Sequence, residues 1–353
     1  MEEEYSIKDR LKSYFPSVIL IWIAILFYRT NRYYSSWLSL ETQLALFWLA
    51  SAYTVFGIIF FVVFSTRKGR ESRGLILIRT LKRLFKEMYN YIHSFTTNLN
   101  HPLPKLEHHE KTTILFALVK IFFLPIMLNF FFDNINQVVS DFSSLSSSNF
   151  SSFLPFFNNL LFPFIFSILL SLDTIYFVFG YSIESSKLKN VVRSVEPTFF
   201  GWIVALICYP PFNDFINRYL GWYADEYTFF WTKQITFFMR ILLLILFGIY
   251  VWATLALGAK SSNLTNRGIV SRGPYSIVRH PAYISKNLAW WVSIIPILSV
   301  SGFIKGAIIL GTTATWGFVY YLRAITEERH LIKDPDYQDY CKKVKYRFIP
   351  GIY

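Results

Sequence analysis

The residues best suited to chemistry lie near the end of the 353-residue chain. The first group is Gly268-Ile-Val-Ser-Arg-Gly273-Pro274-Tyr275-Ser-Ile-Val-Arg279-His280-Pro281-Ala-Tyr283. Pro281 suits the first turn of a helix, where no amide donor is needed. Arg279 and His280 then stand at that helix's start, where free N–H groups and the dipole favour an anion. Residues 258–286 carry five Lys and Arg and no acidic residue, which suits a carboxylate or phosphate. The second group is Arg323-Ala-Ile-Thr-Glu327-Glu328-Arg-His330-Leu331, leading into Asp334-Pro335-Asp-Tyr337. Asp334 and Pro335 form a cap and first-turn pair for a short closing helix, with Tyr337, Tyr340 and Val344 on one face.

The elements that position these groups are membrane spans. Hydrophobic residues make up 54% of the chain and charged ones 16%, against about 25% charged in soluble domains. Apolar runs near the roughly 20 residues needed to cross a bilayer occur at 42–64, 112–132, 153–180, 235–257 and 303–322. Weaker runs lie at 15–28, 198–216 and 281–300. The expected fold is an all-α polytopic bundle of about eight transmembrane helices, the last two forming a hairpin through Ser301-Gly302. Pro210-Pro211 should break the fifth span, and Pro155, Asn158, Asn159 and Pro163 predict an irregular fourth.

The formal charge of +13 reports topology. With the basic loop 65–111 assigned to the cytoplasm, 28 of the 35 Lys and Arg fall on that side. This positive-inside pattern predicts cytoplasmic termini, an anionic lipid surface as neighbour and no nucleic-acid partner. The acidic N-terminus lacks the basic region of a signal peptide, so the first span is expected to remain as an anchor. Within 65–111, Ile78, Leu81, Phe85, Met88 and Ile92 oppose Arg79, Lys82, Arg83 and Lys86, as in a helix lying in the headgroup plane. The 133–152 segment is Ser- and Asn-rich, predicts a flexible outer loop and contains a glycosylation-type triplet at Asn149. Lys120 and Asp173 lie at similar depth and could pair. His108-His109 reads as exposed rather than metal-binding. Cys208 and Cys341 fall in different compartments, and no disulfide is expected.

The two motifs, in this order around a membrane hairpin, resemble the Arg-His-Pro-x-Tyr and Glu-Glu-x-x-Leu signatures of isoprenylcysteine carboxyl methyltransferases and phospholipid methyltransferases. The resemblance covers roughly residues 258–353, and Tyr346-Arg347-Phe-Ile-Pro350 resembles the family's closing segment. Ser285 stands where many relatives have Gly. The chain accordingly divides into an N-terminal membrane region, 1–234, and a methyltransferase-like core, 235–353. The resemblance implies S-adenosylmethionine as cofactor and a membrane lipid or prenylated protein as acceptor. Arg279, His280 and the backbone after Pro281 would hold the cofactor carboxylate, with Tyr275 and Tyr283 framing the pocket. Glu327 or Glu328 would bind its amino or ribose groups, and Arg323 and Arg347 would orient an acidic acceptor. An ionised carboxylate acceptor needs no base, whereas an amine would use Glu328. The competing expectations are a sterol-type reductase using NADPH at the same basic loop and a non-enzymatic lipid-binding protein. The expected compartment is a bacterial cytoplasmic membrane in preference to the endoplasmic reticulum.

Overall fold

The computed structural model describes residues 7–59, 72–97, 102–147 and 152–352. It is all-α apart from two short strands, and packs as two compact units, Met1–Pro125 and Ile126–Tyr353. The division falls inside a helix at a proline, which removes one backbone hydrogen bond from the ladder.

The first unit contains α1 (Ile7–Thr30), α2 (Arg32–Trp37), α3 (Leu40–Ile59), α4 (Arg73–Thr97) and the start of α5 (His108–Ser146). α1 packs against α3 and α4. Polar side chains tie it down: the Trp22 indole donates to Thr54 Oγ1 at 3.0 Å and the Tyr28 hydroxyl to the Ile121 carbonyl at 2.8 Å. α4 is the expected amphipathic helix. Leu81, Phe85, Met88 and Ile92 are exposed, Phe85 by 79%, an arrangement suited to an apolar boundary rather than to water. Glu110 accepts from Arg83 at 2.5 Å and Thr80 at 3.1 Å, and His109 faces Glu107 at 3.3 Å.

The second unit continues α5 and adds α6 (Phe153–Phe156), a π-turn (Phe157–Leu161), α7 (Phe162–Ser182), α8 (Phe199–Leu206), α9 (Phe212–Leu220) and α10 (Lys233–Leu257). It closes with α11 (Pro281–Ser293), α12 (Ile295–Val300), α13 (Phe303–Leu331) and α14 (Pro335–Lys343). Phe162, Phe166, Leu243, Phe247 and Ala289 form one core between α7, α10 and α11. Trp290, Ile294, Ile309, Trp316 and Tyr320 form a second between α11, α12 and α13.

Five helices among the described residues are long and apolar enough to cross a membrane: Leu11–Thr30, Leu40–Ile59, His108–Ser146, Phe153–Ser182 and Lys233–Lys260. Residues 60–64 of the expected second span lie outside the described residues. The π-turn supplies the irregularity expected near Asn158 and Asn159. The remaining expected crossings take other forms. Residues 198–216 are two short helices separated by the cis Pro210-Pro211 bond. Residues 281–300 break at Ile294, and α13 runs 29 residues, past 322 to Leu331.

One expectation needs correction. The 133–152 segment is not a loop throughout, because α5 continues to Ser146. Its polar side chains pair along the helix, Asn129 to Asp133 at 3.1 Å and Gln137 to Asp141 at 2.8 Å, so polarity there marks helical partners rather than flexibility. Asn149 and Ser151 lie outside the described residues. Asp173 takes hydrogen bonds from Tyr250 at 2.6 Å and Thr254 at 2.5 Å. These hydroxyl donors satisfy the buried carboxyl.

Candidate functional site

The segment between α7 and α8 is fixed by its own polar groups. Asn190 is fully buried; its amide donates to the Ile183 and Ala259 carbonyls, and its oxygen accepts from Ser185 N. From there β1 (Ser194–Val195) pairs antiparallel with β2 (Thr265–Asn266), and the Glu196 amide continues the ladder to the Leu264 carbonyl at 2.8 Å. This hook brings residues 194–196 beside the end of α13. Ser194 Oγ meets His330 Nε2 at 2.9 Å, and Arg329 donates to Glu196 Oε1 at 3.0 Å.

The first motif folds as its chemistry predicts. Pro281 opens α11, with His280 at the cap position. The anion site expected there is filled from within the chain. Arg279 Nε donates to Glu328 Oε1 at 2.8 Å, and His280 Nε2 meets the same oxygen at 3.2 Å. Arg347 Nε and Nη2 reach Glu328 Oε2 at 3.0 and 2.7 Å. The amides of Arg279 and His280 donate to the carbonyls of Tyr346 and Arg347, both at 3.0 Å. Burial alone would raise the Glu328 pKa, but hydrogen bonds from His280 and Arg347 and the charge of Arg279 outweigh it and lower it to about 2. Three basic side chains thus pin the tail to α11 through one carboxylate.

The closing helix supports the same pin. Asp334 caps α14 by accepting from Asp336 N at 3.0 Å, and also accepts from Asn266 and Arg193. Tyr337, Tyr340 and Val344 are buried against Tyr275, Ile269 and Leu331. The Tyr340 hydroxyl donates to the Tyr275 carbonyl at 2.7 Å. Ser285 is buried and satisfied by the Pro281 carbonyl at 2.8 Å.

Beside the pin lies a cleft of about 450 Å³, part of it open to solvent. It is lined by Tyr283, Arg323, Thr326, Glu327, His330 and Leu331 from α11 and α13, together with Glu196, Gly201, Ala205 and residues 262–265. Arg323 is buried among the rings of Tyr209, Tyr283 and Tyr320, 5.1–5.7 Å from their centroids. Its Nη2 donates to Asn263 Oδ1 at 2.9 Å; the Asn263 amide in turn donates to the Tyr181 and Tyr209 hydroxyls. The Tyr283 hydroxyl donates to Glu327 at 2.8 Å, and its ring stacks on His280 at 5.3 Å, joining pin to cleft. Burial lowers the His330 pKa, so the ring is held neutral.

Of the sequence-predicted residues, Tyr283, Arg323 and Glu327 therefore line the cleft. Arg279, His280, Glu328 and Arg347 form the pin, Pro281 starts α11, and Tyr275 packs under α14. Glu196, Asn263 and His330 were not anticipated. His330 stands within the second motif and could have been weighed with it; Glu196 had no local signal at all.

A helical membrane protein with a charged cleft at the end of its longest C-terminal helix is the class these features define. Within it, residues 212–344 match the profile of a membrane protein family described as "Protein of unknown function (DUF1295)". No curated protein and no solved structure matches the chain. The matched segment includes Tyr283, Arg323, Glu327 and His330 but stops short of Glu196.

Proposed function

We propose that the chain is an integral-membrane methyltransferase that binds S-adenosylmethionine in this cleft and acts on a lipid or lipidated acceptor. The observation that carries the reading is the meeting of Tyr283 from the first motif with Arg323 and Glu327 from the second in one cleft. S-adenosylmethionine would supply a sulfonium-activated methyl group for in-line displacement by the acceptor. The residues present fit such a ligand: a buried arginine held by Asn263 suits a carboxylate, and the Glu196 and Glu327 carboxylates of the same cleft suit amino or hydroxyl groups.

The pin has a different part in this proposal. With both oxygens in ion pairs and a pKa of about 2, Glu328 has little affinity for a proton, and it serves to hold the tail and the α11 start. An amine acceptor would instead meet His330, a buried neutral ring in the cleft wall. A carboxylate acceptor needs no base. The charge pattern supports the finer topology of eight crossings with cytoplasmic termini, on the side where the cofactor is available.

The test is equilibrium binding of labelled S-adenosylmethionine and of NADPH to the detergent-purified chain. Saturable binding of the first alone is expected. Exclusive binding of NADPH would transfer the cleft to the reductase reading and sink this one.

A further inference from the structure

Glu196 is 2% exposed. Its Oε1 accepts from Thr198 N and from Arg329, both at 3.0 Å, and from the Thr198 hydroxyl. Its Oε2 has no hydrogen-bond partner among the described residues. A buried carboxylate oxygen without a donor is costly, and such atoms in folded proteins call for an explanation. The backbone around it is built to keep the side chain where it is. The Glu196 amide is fixed on Leu264, and Gly201 leaves the space the side chain crosses: a Cβ there would stand 2.5 Å from Glu196 Cγ and 2.6 Å from Cδ. Both residues line the cleft that also holds Arg323.

We propose that Glu196 receives the α-ammonium group of the bound cofactor through Oε2 while Arg323 takes its α-carboxylate. The proposal rests on the methyltransferase reading and deepens it, because it names the end of the ligand that the cleft selects. An ammonium carries three N–H donors, enough to satisfy Oε2 and reach Glu327. The arginine fork matches a carboxylate in two parallel hydrogen bonds. A polyanionic ligand would bring phosphates against Glu196 and Glu327, a repulsion that a zwitterion avoids. Glu196 lies outside residues 212–344, so the N-terminal part of the second unit completes the site that the motifs begin.

Equilibrium binding to the full chain in detergent tests this with three ligands. S-adenosylmethionine carries both groups, its decarboxylated analogue keeps only the ammonium, and 5′-methylthioadenosine has neither. Glu196→Gln is expected to weaken the first two by about 10- to 100-fold, the loss of one charge-assisted hydrogen bond, and to leave the third unchanged. Arg323→Gln is expected to weaken S-adenosylmethionine alone. Retained 5′-methylthioadenosine binding reports that each variant is folded. Normal S-adenosylmethionine binding by Glu196→Gln would overturn the proposal while leaving the methyltransferase reading intact. Equal loss of all three ligands would also overturn it, as a purely structural role. Failure of the unaltered chain to bind any of the three would overturn both.

Discussion

Glu327 and Glu328 are consecutive residues with opposite fates. A helix turns about 100° per residue, and that step separates the pin from the cleft. The Glu328 side chain is 13% exposed and satisfied by two arginines and a histidine. The Glu327 side chain is 45% exposed and held by the Tyr283 hydroxyl. The pin is saturated and ties three segments together. The cleft keeps an acceptor in reserve, the second oxygen of Glu196. The two clusters thus differ in whether their buried carboxylate oxygens are partnered, and an unpartnered one calls for an explanation.

The sharpest way to break this comparison is to remove each glutamate in turn. Glu328→Ala strands Arg279, His280 and Arg347 together and is expected to cost about 3–5 kcal/mol, as removal of one partner from a buried ion pair does. Thermal unfolding in detergent and proteolysis of the C-terminal tail measure it. Glu327→Ala is expected to change stability by less than about 1 kcal/mol while weakening ligand binding. Equal losses of stability in the two variants would erase the distinction.

Gly201→Ala is expected to have the next largest effect. The added methyl must displace Glu196, at a cost of about 1–3 kcal/mol from overpacking, and S-adenosylmethionine binding should fall while the tail stays protected from protease. A variant with unaltered affinity would show that Glu196 tolerates the shift and that its position is not critical.

The smallest effects are in pH dependence. The folded-state pKa of Glu328 is depressed from 4.5 to about 2, so its contribution is present above 4.5 and lost as pH falls from 4.5 toward 2. His330 is also depressed, from 6.5, so its contribution is present above 6.5 and declines below it. Acid-unfolding curves should therefore flatten below 4.5 in Glu328→Gln and just below 6.5 in His330→Gln, each relative to the unaltered chain. If the two variants flattened the same window, pin and cleft would titrate as one cluster.

Local rules made much of the scaffold legible. Pro281 opens α11, Asp334 caps α14, Tyr337, Tyr340 and Val344 share a buried face, and Pro210-Pro211 separates α8 from α9, because each depends on neighbours within a few residues. Apolar length likewise announced four of the five long helices as clear runs, whereas Leu11–Thr30 was a weaker run and the clear run at 303–322 is not among the five. Local rules misread the polar segment after residue 133, where i,i+4 partners sustain a helix.

Residue types and spacing alone determined a helical membrane protein with two charged motifs gathered near the end of the chain. Tertiary structure alone decided which charges meet. The span from Arg279 to Glu328 covers 49 residues and that from Glu196 to Arg329 covers 133. Partner choice over such distances is made by the packing of α11, α13 and the β1–β2 hook, and no periodicity encodes it. The two motifs were visible as sequence; that one glutamate locks the tail while its neighbour faces an open cleft follows from helix geometry and packing.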